Sequence, residues 1–203
     1  MQPRTSRLLA TWIAVMLVSS VGAADRPEST DWTAVGASGP VHGRAAYARS
    51  HQWTRVRTGD RLAPLTAVRT GSRGGATIVA PARTLVVGPD TEVELPALAA
   101  GDRTAEALQD RGTIDYEIAG ASASGLDVVT PFLVAATDGA TFRVTTASGT
   151  TVVDVFDGTV VVTSRLDGTS ATLAAGEGAT VDAEATAGLD LRPAGGDAVA
   201  QRR

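Results

Sequence analysis

From Trp32 onward, short runs of Val, Thr, Ile, Leu and Phe alternate with turn-forming glycines and aspartates. Runs of that kind suit pleated strands, and Asp-Gly pairs suit tight turns because glycine accepts positive φ and aspartate tolerates it. The punctuation is most regular at Asp138-Gly139, Ser148-Gly149, Asp157-Gly158, Asp167-Gly168 and Gly176, which are separated by 10, 9, 10 and 8 residues. It predicts strands over 140–146, 151–156, 159–164 and 169–173, with 151–156 and 159–164 paired as a hairpin across Asp157-Gly158. Phe142 and Val144, Val153 and Val155, and Val160 and Val162 each fall on one face of their strand. The opposite face carries Val152 and Phe156 beside Asp154, so both faces are expected to be partly covered. The fold class this implies is all-β: a single domain of many short strands, sandwich-like or a short β-solenoid or roll.

Two stretches depart from the strand pattern. Residues 104–110 (Thr-Ala-Glu-Ala-Leu-Gln-Asp) could make two helical turns with Thr104 as the cap, bounded by Gly101 and Gly112. Residues 185–203 hold Gly188, Pro193, Gly195 and Gly196 without alternation, and read as a disordered tail.

The longest apolar run is at the start. Arg4 and Arg7 precede Leu8 to Val18, and Ser19, Ser20, Val21, Gly22, Ala23 and Ala24 follow. Basic, apolar, then small is the order of a secretory signal, with cleavage expected after Ala23. Crossing a bilayer takes roughly 20 apolar residues, more than this run supplies, so an uncleaved anchor is the second choice. The expected organisation is a signal peptide at 1–23, a linker at 24–31, a β domain at 32–184 and the tail. No transmembrane helix is expected in the mature chain, and its location is periplasmic or extracellular.

Composition narrows the chemistry. There is no cysteine, so disulfides and thiolate metal sites are excluded. Aromatics are 4% of the chain, too few for the stacking platforms that bind nucleic acids. His42 and His51 lack a third metal ligand nearby in sequence and read as loop histidines. The aspartates come mostly once per turn, which turn chemistry explains without calcium. No Gly-x-Ser-x-Gly, phosphate loop or dinucleotide fingerprint is present. The chain is therefore not expected to be an enzyme, and no catalytic residue, cofactor or metal is assigned.

Charge is unevenly divided. Residues 44–83 hold eight arginines against Asp60, a formal +7, whereas residues 84–203 hold seven arginines against 18 acids, a formal −11. One account sets strands of the two halves side by side, with their charges facing each other or water. The other is an arginine-lined face for an anionic polymer or acidic envelope protein, with Arg55, Arg57, Arg61, Arg69 and Arg73 as its candidates.

The order of segments resembles a FecR-type domain. Trp53-Thr-Arg-Val-Arg-Thr-Gly-Asp-Arg-Leu62 leads to Ala67-Val-Arg-Thr-Gly71, Ala76-Thr-Ile-Val79 and Thr91-Glu-Val-Glu-Leu95. Further on come Gly112 to Ile118, Val128-Val-Thr-Pro131, Thr137 to Val144, Val153 to Val162 and Leu173 to Val181. The chain departs from the family pattern at Asp138, where a basic residue is usual, and at Ala140, where threonine is usual. The resemblance implies a periplasmic all-β module without catalytic residues, which in well-known members relays siderophore signals to a sigma factor. Here the short segment before the apolar run and the loose tail lead us to expect a stand-alone domain, not a direct sigma regulator. It is read as an exported binding or interaction module. The alternatives are an accessory component of iron-responsive, sigma-linked periplasmic signalling, or a carbohydrate- or peptidoglycan-associated envelope protein.

Overall fold

The computed structural model describes residues 31–46, 52–97, 104–120, 125–184 and 188–193. The signal segment and His51 lie outside them. Sixteen strands and no helix form among the described residues. In chain order these are β1 (Trp32–Ser38), β2 (Val41–Ala45), β3 (Thr54–Arg55), β4 (Arg61–Leu62), β5 (Thr66–Thr70), β6 (Gly75–Ala80), β7 (Arg83–Val87) and β8 (Glu92–Glu94). They continue as β9 (Ala105–Ile118), β10 (Leu126–Val129), β11 (Leu133–Thr137), β12 (Ala140–Ala147), β13 (Thr150–Ser164), β14 (Ser170–Ala174), β15 (Glu177–Asp182) and β16 (Asp190–Pro193). No helix among the described residues is long and apolar enough to cross a membrane.

The strands form two sheets packed on a shared core. Sheet A runs β4-β1-β6-β7-β9-β12-β13-β15-β16. Sheet B runs β3-β2-β5-β8-β9-β10-β11-β13-β14. Every described ladder is antiparallel except β9–β10, which is the signature of a sandwich and not of a solenoid. β9 and β13 belong to both sheets, and with β12, β11 and β10 they close a small barrel-like circuit.

Both crossings occur at glycines in the left-handed region. Gly112, with φ 89°, separates the part of β9 that pairs with β8 and β10 from the part that pairs with β7 and β12. Gly158, with φ 79°, does the same in β13. Each sits beside a register shift, Glu92/Val93 on the partner of β9 and Thr141/Phe142 on the partner of β13. A bulge with a positive-φ glycine bends a strand sharply and so lets it pass from one sheet to the next. Space is also limiting: a Cβ on Gly158 would lie 2.5 Å from the Gly139 carbonyl oxygen.

This overturns the hairpin expected at Asp157-Gly158. The glycine bends a continuous strand there, whereas Ser148-Gly149, Asp167-Gly168 and Gly176 do mark turns between strands. The helix expected over 104–110 is likewise absent, because those residues lead into and begin β9. Ala105, Ala107 and Gln109 point into the core while Glu106, Leu108 and Asp110 point out, a period of two. Pairing on both sides by β8 and β10 overrides the helix preference of Ala, Glu, Leu and Gln. Within the stretch expected to be a disordered tail, Asp190–Pro193 forms β16 on the edge of sheet A.

The core holds Trp32, Ile78, Leu85, Tyr116 and Phe142 from sheet A, and Val68, Leu126, Leu133 and Leu173 from sheet B. Removing such a side chain from water contributes about 1.5–3 kcal/mol. Several buried polar side chains are paired, whereas Thr66 Oγ1 is buried without a hydrogen-bond partner. The Trp32 indole N–H donates to the Pro96 carbonyl at 3.0 Å. Tyr116 stacks on Phe142 at 5.1 Å, and its hydroxyl donates to Gln109 Oε1 at 3.0 Å. The Gln109 amide donates to the carbonyls of Gly112 and Val144, which ties the bend of β9 to β12. Burial pushes the Tyr116 phenol far above its ordinary range, so this network is structural and stays neutral.

Candidate binding face

Cross-strand register lays out the outer surface of sheet B. One row runs Arg55, His42, Arg69, Glu92, Arg111 across β3, β2, β5, β8 and β9. The next runs Arg44, Ala67, Glu94, Leu108, Val129, Val134, Thr163, Ser170, and a third runs Glu106, Asp127, Ala136, Val161, Thr172. Directly opposed residues on a sheet share a face, so these side chains point away from the core.

At the β2–β5 end, two guanidiniums lie over the Trp53 ring. Arg69 Cζ lies 4.1 Å from the indole ring centroid and Arg44 Cζ lies 4.8 Å from it. Such contacts are worth about 0.5–1 kcal/mol each at exposed sites. They hold both guanidiniums over the indole. Neither guanidinium forms an ion pair among the described residues. Arg55 reaches from the next strand to the Gly39 carbonyl at 3.1 Å.

The five arginines expected to form a basic face are only partly gathered. Arg55 and Arg69 share the row through His42, and Arg73 lies in the β5–β6 turn that packs on Gly39. Arg61 instead opposes Thr33 in sheet A, and Arg57 lies in the turn closed by the Asp60 carboxylate, which accepts its backbone N–H at 2.8 Å. Arg44 and Trp53 belong to the cluster but were not among the candidates. Arg44 stood in the basic run, but nothing in that run signalled that its guanidinium would stack on Trp53. His42, expected in a loop, is half-buried on β2.

Strands of the two halves do lie side by side in the β5–β8 ladder, where Arg69 opposes Glu92. The ion pairs Arg111–Glu92, Arg143–Asp115 and Arg192–Asp154 all join residues within 84–203. Glu92 lies opposite both Arg69 and Arg111, and it is Arg111 that it meets, at 2.8 Å.

The far end of the same face is acidic. A cleft there is lined by Thr104, Asp127, Asp138, Gly139, Thr159 and Val161. Burial, then the charges of Glu106 and Asp138, push the Asp127 carboxyl above its ordinary range. A second cleft, at the end of the sandwich, lies between Pro89, Gly112, Pro131, Phe132 and Gly149. Among the described residues no three of His, Cys, Asp and Glu converge as a metal would require.

The model of a family described as FecR protein matches residues 66–161. No protein of curated function matches the chain. Two crystal structures of a candidate anti-sigma factor from Parabacteroides distasonis share the fold. One, at 2.50 Å, has a TM-score of 0.55 and 14% identity over 63% of this chain and 59% of that one. The other, at 1.65 Å, has a TM-score of 0.55 and 17% identity over 64% and 60%. The match thus spans less than two thirds of those chains, and at that identity it speaks to the fold alone. Residues 66–161 of this chain thus match a FecR domain, and the segment order on either side of them is similar to that domain's.

Proposed function

We propose that this chain is an exported, non-catalytic binding module of the bacterial envelope, and that its Arg44–Trp53–Arg69 face engages an acidic partner. The observation that carries this reading is the pair of stacked guanidiniums without ion-pair partners. Stacking pre-organises a guanidinium, so less side-chain freedom is lost when it meets a carboxylate or phosphate. The partner is an envelope protein with an acidic surface or an anionic envelope polymer. Participation in signalling is the preferred setting, supported by the FecR match and by the fold shared with a candidate anti-sigma factor.

The test is titration of the chain with heparin as a polyanion probe, followed by Trp53 fluorescence. Binding that weakens with salt, and is lost in Arg44→Ala/Arg69→Ala while circular dichroism is unchanged, supports the reading. Absence of salt-sensitive binding by the wild-type chain overturns it. Envelope pull-down then separates the settings: a transporter or sigma regulator supports signalling, and retention on cell-wall sacculi supports a wall-associated role.

A further inference from the structure

The two sheets end differently beyond β13. Sheet A continues through β15 to β16, whereas sheet B stops one strand earlier, at β14. β14 lies over β15, close enough for the Glu177 carboxylate to accept the Ala174 backbone N–H at 2.8 Å. The next place in sheet B, over β16, holds no strand among the described residues. Its floor is apolar. Leu191 opposes the buried Ala179, so it faces the core side of sheet A, yet 57% of its surface is exposed.

The wall beside that floor is an unpaired strand edge. Arg165 N–H donates to the Phe132 carbonyl on the β11 side of β13, and Ser164 N–H donates to the Thr169 carbonyl on the β14 side. Alternation along the antiparallel ladder then spends the backbone groups of Ala171 and Leu173 on Val162 and Val160. Those of Ser170, Thr172 and Ala174 point to the free edge. Exposed edges are commonly blunted by shortness, charge or proline. β3 and β4 have two residues each and carry Arg55 and Arg61, and β16 carries Asp190, Arg192 and Pro193. β14 is five residues, Ser-Ala-Thr-Leu-Ala, without charge, proline or bulge.

We infer that this place accepts an extended segment of another protein, which adds to β14 as the next strand of sheet B. Main-chain hydrogen bonds to the edge hold the segment, and its alternate side chains cover Leu191. Two carboxylates bracket the edge. Asp167 lies in the turn before β14 and Glu177 sits on its last N–H, and neither forms an ion pair among the described residues. The segment that fits is therefore apolar at alternate positions and basic at its ends. A second copy of this chain fits poorly. Antiparallel pairing of two β14 strands about Thr172 is the register that uses all three outward residues. It brings Asp167 of each copy towards Glu177 of the other, since they stand five residues to either side of Thr172. This edge is at the opposite end of sheet B from Arg44 and Arg69, so it is a second site beside the anion-binding face.

Fluorescence anisotropy of a labelled peptide, Arg-Thr-Val-Thr-Val-Thr-Arg, titrated with the full chain tests it. Saturable binding that weakens with salt is expected. Only one edge of the peptide faces β14, so N-methylation of its valine nitrogens and of its threonine nitrogens should differ, one weakening binding about tenfold or more and the other not. Thr172→Pro removes an outward N–H at an edge position that tolerates proline, and should also cost about tenfold or more. Leu191→Ser and Asp167→Asn/Glu177→Gln should each weaken binding. The N-methylated pair needs no change to the protein, so the inference stays open to refutation should Thr172→Pro disturb folding. Failure of the wild-type chain to bind, or binding indifferent to both N-methylated peptides, overturns it. So does binding lost in Asp127→Asn, which would put the peptide in the acidic cleft. Binding seen only in Arg202→Glu/Arg203→Glu would make the chain's own following residues the occupant, and a wild-type dimer broken by Thr172→Pro would make it a second copy; either overturns the inference.

Discussion

The two outer faces of this sandwich differ in how fully their charges are paired. On sheet A the row Val86, Asp115, Arg143, Asp154, Gly178, Arg192 alternates in sign and is paired in place. Arg143 binds both oxygens of Asp115, and Arg192 reaches Asp154 at 3.0 Å by crossing the bare backbone of Gly178. A Cβ on Gly178 would sit 2.9 Å from Asp154 Oδ1 and 3.5 Å from Arg192 Cζ, so the glycine makes that crossing. On sheet B Glu92 pairs with Arg111, but Arg44 and Arg69 lie over the Trp53 indole without an ion pair among the described residues. Satisfied charge anchors an edge strand; a guanidinium without an ion pair is available to something outside the molecule. Under the proposed function, the contrast sets a stabilising face against a recognition face.

The largest effect should come from the glycines that keep the faces distinct. Gly158→Val combines a strained φ with contact against the Gly139 carbonyl and Ala140, and should lower unfolding free energy by about 3 kcal/mol or more. Urea denaturation measures it; a midpoint unchanged from wild type would remove the bend from the account. Next is Arg192→Ala, which leaves Asp154, 16% exposed, without its guanidinium. A loss of about 1–3 kcal/mol is expected, with heparin binding retained. Smaller still, Arg44→Ala/Arg69→Ala should lower stability by about 1–2 kcal/mol, the sum of two exposed cation–π contacts, and yet abolish polyanion binding. Should the Arg192 variant lose binding as well, the division between faces fails.

The smallest effect concerns pH. A carboxyl whose folded pKa is raised stabilises the fold below its unfolded pKa, and that contribution is lost as pH rises through the folded pKa. For Asp127 the window starts at the ordinary value of 3.8 and extends upward. Asp127→Asn, compared in high salt, should therefore be slightly more stable than wild type near neutrality, with the advantage vanishing below that window. Thermal melts at several pH values decide it.

The strand content, the alternation at Phe142, Val153 and Val160, and most Asp-Gly turns were legible because period two and turn chemistry are local. Gly112 and Gly158 carry the same local signature as a turn, since both a hairpin and a bulge ask glycine for positive φ. Only ladders with distant strands decide between them, as they do for 104–110, where the residues favour a helix locally. At the candidate site, Arg55, Arg69 and Arg73 could be suspected from the basic run. Arg44 and Trp53 could not be grouped with them, because the β2–β5 register that joins them is non-local.

Continuity of β9 and β13 through both sheets also sets which parts can open independently. The edge strands β3, β4, β14 and β16 can fray without disturbing their neighbours. By contrast, the amides of β9 are flanked by β8 and β10 in one sheet and by β7 and β12 in the other. Freeing them requires both layers to come apart. Hydrogen exchange along these two strands should thus report the unfolding of the whole domain, and the segments on either side of Gly112 should exchange as one cooperative unit.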